Sequence, residues 1–531
     1  MTDPAGIEKL ESGERPVLAG TPPDLPALDR SVLSGLAWTG AAKWTVQVLS
    51  WASTLVVVRL LSPTDYGIVG MAGAFVALLQ PVCDFGVGAT VVQGRALARE
   101  QIAQLHGFAI LVGLICTIAA AALAVPIAAF FDEPALQAAI PVLGLTFFVG
   151  SFRIVPTAML TRQMRFRRLA FIDAAEAVGV LVTSIGLALA GHGYWSLVIA
   201  TVVSRAFASG LALQASPQAI LAPTAFAQIA RSLRFGAWVA VSSVAWYVYT
   251  NADRVVVGRF LGDAALGAYV MGLTLAAVPV EKVAQLYQRV SESVISRVQH
   301  DAAAVSRYLL GITEGVAMLT FPLSVGLMLV ADQFVRVVLG PSWEPCIVPL
   351  RILAGAAALR SLDPLLAQVL ITTGHANVNA RSMTVATILL PGAFWLGSRW
   401  GVAGVATVWL LGHPGVVMTR QLWCVLRITK TRFIDYLGAL YPAVSSTAVM
   451  ALAVLGCRTA ISQWMPPGLE LMCAIVSGVL AYVASLLVFH SSRVRVALAF
   501  VRQWNAVNAK PADSAEAPSA GLTNSLTNEV S

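Results

Sequence analysis

The chain has 531 residues, 57% of them hydrophobic and 12% charged, with a net charge of +8 and a mean hydropathy of +0.77. Water-soluble domains carry roughly 25% charged residues, so a soluble enzyme is excluded and no soluble domain remains to carry a basic nucleic-acid surface. Apolar stretches of about twenty residues, each able to span a bilayer core, recur throughout with Gly and Pro scattered inside them, so the chain reads as an all-α polytopic membrane protein.

Residues 1–30 are polar, Pro-rich and mildly acidic, lack the basic start and short apolar core of a signal peptide, and read as a disordered cytoplasmic N-terminus. About fourteen helices follow, at roughly 33–60, 66–92, 104–131, 135–160, 169–190, 194–215, 236–260, 264–288, 307–331, 346–373, 376–398, 402–424, 436–457 and 469–490. This divides the chain into a first six-helix lobe (31–215), a cytoplasmic linker (216–235), a second six-helix lobe (236–424), two further helices (425–490) and a mostly disordered tail (491–531).

Charge alternates between connections. One set carries Arg95 and Arg99, Arg162 to Arg168, Arg231 and Arg234, Arg297 and Arg307, Arg427 to Arg432, and Arg493 to Arg502. The alternate set, around Asp132, His192 and Trp343, is poor in Lys and Arg. The positive-inside bias makes the first set, and both termini, cytoplasmic. Trp195, Trp343, Trp400 and Trp464 fall in the other set, as an interfacial aromatic belt would.

The six cysteines are dispersed without a CxxC pair, the six histidines show no ligand spacing, and no GxxxxGK[ST] loop occurs. A metal, a cofactor and a catalytic Ser or Cys constellation therefore have no support, and the expectation is a non-enzyme.

A shift of 200 residues aligns the first and seventh helices: Trp38 with Trp238, Val57 with Val257, Arg59 with Arg259, Leu61 with Leu261, Gly67 with Gly267 and Met71 with Met271. Six helices separate the copies, so the repeat is parallel, with its axis along the membrane normal. Lys43, Gln47, Ser50 and Thr54 form one polar stripe, and Ser243, Tyr247, Thr250 and Arg254 occupy the same registers in the second copy. Polar stripes avoid lipid, so both copies turn a polar face inward, toward either a hydrated cavity or the opposite lobe.

In SFRIVPTAML, Arg153 lies three residues before Pro156; in ALRSLDPLLAQ, Arg360 lies four before Pro364. A proline inside a span frees a carbonyl and bends the helix. Asp84, Arg205, Glu281 and Lys282 are further intramembrane charges, and an excess of cations suits a translocated anion. In TNADRVVVGRFLG, Asp253 and Arg254 project about 100° apart on a helix. Arg254 is expected to face the cavity, and Asp253 to pair with a cation on another helix, Lys43 being the favoured one.

The stretches VVVRLLSPTDYGIVGMA, DFGVGATVVQ, PTAMLTRQMRFRRLAF and TNADRVVVGRFLGDAALGAYVMG resemble the polysaccharide-transporter family of oligosaccharide flippases, within the multidrug/oligosaccharidyl-lipid/polysaccharide exporter superfamily. The resemblance covers most of residues 31–490. It implies two pseudo-symmetric six-helix lobes around a central cavity, two C-terminal helices and alternating access in a bacterial inner membrane. Its implied cargo is an undecaprenyl-pyrophosphate-linked oligosaccharide for exopolysaccharide, capsule or O-antigen assembly, with membrane lipids and a polysaccharide polymerase and co-polymerase as candidate partners. Carried over, pyrophosphate binding falls on Lys43, Arg153, Arg254 and Arg360, with Asp84, Arg205, Asp253, Glu281 and Lys282 as candidate ion-pair or coupling residues. A peptidoglycan-precursor flippase and a cation-coupled multidrug exporter of the same superfamily are the alternatives.

Overall fold

The computed structural model describes residues 54–84, 86–93, 98–222, 246–298, 301–461, 465–491 and 493; among them all regular structure is helical. The first lobe comprises α1 (described over 54–60), α2 (Pro63–Asp84), α3 (Val87–Gln93), α4 (Arg99–Phe131), α5 (Leu136–Arg162), α6 (Phe166–Leu189) and α7 (Trp195–Ala215). The second comprises α8 (described over 246–261), α9 (Asp263–Val298), α10 (Ala302–Phe334), α11 (Ile347–Arg360), α12 (Asp363–Thr372), α13 (Ala376–Gly397), α14 (Gly401–Thr407) and α15 (Thr419–Ile428). Then α16 (Phe433–Ile461) and α17 (Pro467–Phe489) pack on each other and on α10.

Eleven helical segments among the described residues are long and apolar enough to cross a membrane. One of them, Ala376–Ile428, has 53 residues. At 1.5 Å per residue it would reach ~80 Å if straight, more than twice a bilayer core. It doubles back at the 3-10 turn Ser398–Trp400 and at Gly401, whose φ is +68°, so that α13 packs against α14 and α15. It therefore accounts for two of the expected crossings. Much of the first expected helix and residues 236–245 of the seventh lie outside the described residues.

Helix packing follows the rule for lipid. On α4, Cys116, Ala120, Ala124 and Ala128 recur every four residues and are buried against Ala139, Leu143 and Phe147 of α5. Ile115, Ile118 and Val125, on the other face of α4, are at least 55% exposed and meet the bilayer. Small residues let two backbones approach where lipid and Leu are equally apolar. The Thr117 hydroxyl adds a hydrogen bond to the Gly144 carbonyl, 2.9 Å across the pair.

The two proline sites behave differently. Helix α5 runs unbroken through Pro141 and Pro156, and the Thr157 hydroxyl donates to the Arg153 carbonyl at 2.8 Å. The second-lobe span breaks instead: α11 ends at Arg360, and α12 starts at Asp363 with Pro364 in its first turn, where a missing N–H costs nothing. The Ser361 hydroxyl, in the break, donates to Ala358 O at 2.7 Å and shares a 2.9 Å hydrogen bond with Thr320.

The lobes meet at the ends that carry the cation-poor connections. There α2 and α9, repeat-mates of each other, cross with no space for side chains. A Cβ on Gly67 would collide with the Asp263 carbonyl, and a Cβ on Gly267 with the Pro63 carbonyl. Adding 200 to the first pair (67 and 63) gives the second (267 and 263), so the contact is isologous about the pseudo-two-fold axis. Around it, the Arg59 guanidinium donates to Val337 O and, at 2.7 Å, to Val338 O, both in a π-turn of the second lobe. The Trp343 indole donates to Val58 O at 2.9 Å, and Tyr66 packs edge-on against it, ring centres 5.2 Å apart. Reciprocally, Arg259 lies 5.7 Å from the ring of Phe130 in the first lobe.

Candidate functional site

Two charged clusters lie inside the spans, one in each lobe. In the first lobe, Arg153 on α5 is clamped by two carboxylates of α6: Glu176, in close contact with Nη1, and Asp173, 3.4 Å from Nη2. The other Glu176 oxygen receives Nε of Arg205 on α7 at 3.2 Å. Asp173 and Glu176 stand three apart on one helix face, so a single guanidinium reaches both. Asp84 at the end of α2 is exposed and accepts from Gln80 at 3.0 Å. Arg153 and Arg205, two of the residues singled out by sequence, are thus brought together, with both charges matched by carboxylates.

In the second lobe the organising group is Asp253 on α8, which is fully buried. Its Oδ2 accepts from the Tyr269 hydroxyl of α9 at 2.6 Å and from the Trp409 indole at 2.8 Å; its Oδ1 accepts from the Arg254 backbone N–H at 2.8 Å. Among the described residues, the partners of Asp253 are thus neutral donors rather than the expected cation of another helix. No cation lies within 4 Å of it among the described residues, because three neutral donors already saturate the carboxylate. The favoured partner, Lys43, lies outside the described residues.

Trp409 links this carboxylate to Arg360. The Arg360 guanidinium carbon sits 4.1 Å from the Trp409 ring centre, a cation–π contact. Among the described residues no carboxylate oxygen comes within 4 Å of Arg360 or of Arg254, whose buried Nε has no partner. Arg254 is half-buried while its neighbour Asp253 is fully buried, as their angular separation on a helix requires. The stripe holding Arg254 is divided in use: the Tyr247 hydroxyl donates to Ala74 O of α2 at 2.7 Å and ties the lobes together.

Trp409 and His413 lie on consecutive π-turns, Val408–Gly412 and Pro414–Met418 flanking His413. The wider turn brings residues four apart nearly into line, and the two rings are 5.6 Å apart. His413 Nδ1 is 3.4 Å from Asp363 Oδ2, and the Tyr249 ring is 6.4 Å from the imidazole. Glu281 and Lys282 follow Pro279 on α9, exposed and half-buried respectively, and the ion-pair cluster around Arg153 does not include them.

The sequence reading missed Asp173, Glu176, Asp363, Trp409 and His413. Glu176 and Asp363 carried a usable signal, an ionisable residue inside an apolar span. His413 carried the same signal, whereas Trp409 carried none, since its role comes from the π-turns.

The profile of the family described as polysaccharide biosynthesis protein matches residues 56–348. The teichuronic acid biosynthesis protein TuaB of Bacillus subtilis (strain 168) is 23% identical over 86% of this chain and 95% of its own. The succinoglycan biosynthesis transport protein ExoT of Rhizobium meliloti (strain 1021) is 23% identical over 92% and 99%. The lipopolysaccharide biosynthesis protein WzxC of Escherichia coli (strain K12) is 23% identical over 72% and 79%. Among solved structures, the lipid II flippase MurJ in an inward closed conformation superposes with a TM-score of 0.68 at 13% identity, over 86% of this chain and 99% of that one. An inward-facing multidrug resistance MATE transporter superposes with a TM-score of 0.60 at 15% identity, over 72% and 95%. These two likenesses concern the fold, and the profile covers more than half of the sequence: the chain belongs to the polysaccharide biosynthesis protein family.

Proposed function

We propose that the protein is an alternating-access flippase for an undecaprenyl-pyrophosphate-linked oligosaccharide, working without bond chemistry of its own in a bacterial inner membrane. The observation that carries this reading is the pair Arg254 and Arg360, half-buried guanidinium groups in one lobe without a carboxylate partner among the described residues. A guanidinium fork fits phosphate oxygens two at a time, and in a low-dielectric span an unmatched cation is costly. A pyrophosphate head supplies the missing anion. Arg153 has a different part: Glu176 and Asp173 already occupy it, so it holds α5 to α6 and would reach a substrate only after that clamp opens. Closure at the cation-poor ends matches a state that loads cargo from the cation-rich, cytoplasmic side.

Deletion of the gene is expected to leave a lipid-linked glycan on the inner leaflet. Wild-type protein should restore export, while Arg360→Gln, inserted at normal levels, should not. Normal export by the Arg254→Gln, Arg360→Gln double variant would overturn the anion role, and absence of any accumulated lipid-linked glycan would overturn the cargo. For topology, cysteines replacing Gly193, Ser342 or Ser462 in a Cys-free background should react with an impermeant thiol reagent in intact cells, and those replacing Arg167 or Lys430 should not.

A further inference from the structure

We propose that Asp363 and His413 form a proton-binding pair, and that a proton bound there strengthens anion binding at Arg360. The proposal rests on the reading of Arg360 as an anion site, while the proton site itself stands on separate observations.

The two side chains are taken out of solvent, His413 being 3% exposed and Asp363 16%. Their 3.4 Å approach is not a hydrogen bond, and two polar atoms are left over: His413 Nδ1 and Asp363 Oδ1 are both buried without a partner. A buried orphan of this kind costs about 1–3 kcal/mol. One added proton resolves the central mismatch. Whichever ring nitrogen carries the hydrogen of the neutral imidazole, a second proton makes both nitrogens donors, so an N–H at Nδ1 faces the Asp363 carboxylate and the contact becomes a charge-assisted hydrogen bond. The proton comes from water, and no other bond is made or broken.

A metal ion fits less well. Hard cations want six or more oxygen ligands, whereas this site offers one carboxylate and one imidazole, and no cluster of three or more His, Cys, Asp or Glu occurs among the described residues. The charged and titratable groups facing the pair are Arg360 from α11, Tyr249 and Asp253 from α8, Tyr269 from α9 and Tyr436 from α16. Arg381 of α13 and Arg420 of α15 are exposed. Asp253 is saturated by Tyr269 and Trp409, so Arg360 is the strong charge next to the pair.

The coupling has a definite sign. Unprotonated, Asp363 is a carboxylate three residues from Arg360 and competes with an incoming anion for it. Protonation of the pair removes that competition and adds one positive charge behind the Trp409 ring. Anion binding is then tighter at low pH, and by reciprocity anion binding draws a proton in. While one proton is taken up per anion, affinity changes by about tenfold per pH unit.

The test uses the detergent-solubilised full chain and geranylgeranyl diphosphate. Calorimetric titration in buffers of different ionisation heat counts protons, scanned over roughly pH 5–9, where histidine and perturbed carboxylates change charge. Wild type should take up more protons than Asp363→Asn and His413→Gln, whose affinity should lose its pH dependence; the ligand's own protonation cancels in the difference. The result should be the same in sodium and choline chloride. Equal proton counts in all three proteins, or an effect that requires sodium, would overturn the proposal. A second arm needs no ligand: infrared difference spectra between high and low pH should contain a carboxylate stretching change that Asp363→Asn removes and His413→Gln shifts. Failure of wild type to bind the diphosphate would sink the anion site alone, and an unchanged carboxylate band in both variants would sink the proton pair alone.

Discussion

Gly67 meets residue 263 and Gly267 meets residue 63, so a shift of 200 residues maps the contact between the lobes onto itself. Inside the lobes the same shift finds nothing matching. It takes Glu176 to Ala376, Arg205 to Val405 and, backwards, Trp409 to Ser209. The first lobe neutralises its arginines with α6 carboxylates. The second stacks one on an indole and leaves the other's Nε without a partner. Closure thus keeps the symmetry of the repeat, while the interior has diverged into a braced half and a receptive half.

The largest expected effect tests the symmetric part. Gly67→Val and Gly267→Val each force a side chain against a backbone carbonyl that cannot rotate away, at a cost of about 3 kcal/mol to the closed contact. The two should cost equal amounts. A cysteine at the buried position Val58 should become reactive to an impermeant thiol reagent in both variants and stay silent in the parent; strongly unequal reactivity would break the symmetry.

The next comparison separates the halves. Arg153→Gln strands Glu176 and Asp173, and because the cluster is partly hydrated the loss should be about 2 kcal/mol rather than the larger figure for a dry pair. Arg360→Gln removes a stacking contact worth about 0.5–1 kcal/mol, yet should weaken diphosphate binding roughly 10- to 100-fold, as loss of charged hydrogen bonds does. Melting and diphosphate titration on the same samples decide it: if Arg360→Gln melts as low as Arg153→Gln, the division into braced and receptive halves is wrong.

Smaller effects sharpen the contrast. Glu176→Gln with Asp173→Asn releases Arg153 and Arg205 together and should give the first lobe a diphosphate affinity within about tenfold of the second, a difference of ~1.4 kcal/mol. No gain in binding would mean that those arginines face away from the cavity. Trp409→Phe keeps a ring under Arg360 but deletes the donor to Asp253, and should lower stability by about 1 kcal/mol with little change in anion affinity.

Much of this architecture was legible in the residues. Apolar runs gave the spans, and the Trp, Arg and Gly matches gave the repeat whose glycines turn out to be the crossing point. The list of intramembrane cations was also readable, but their state was not. Whether Arg153 is free depends on Glu176, 23 residues away on the next helix, and no spacing rule joins them. The donors that reach Asp253, Tyr269 and Trp409, were not legible because they count as hydrophobic residues in any apolar tally. The break after Arg360 and the π-turns around His413 depend on hydrogen bonding between spans, so a proline rule that fits α5 and the second-lobe span equally well could not tell them apart.

The self-mapping contact between α2 and α9 bears on how such a chain could arise. If the repeat once existed as a separate polypeptide, the same surface would have joined two identical copies, and each substitution there would have acted twice. A homodimer can hold only identical chemistry in both halves of its interior. Joining such copies into one chain would remove that restraint from every residue off the axis and keep it for the glycines on the axis, which must still fit one another. The pairing of a clamped arginine in one half with an indole-backed arginine in the other is an arrangement open to a fused gene and closed to its homodimeric ancestor.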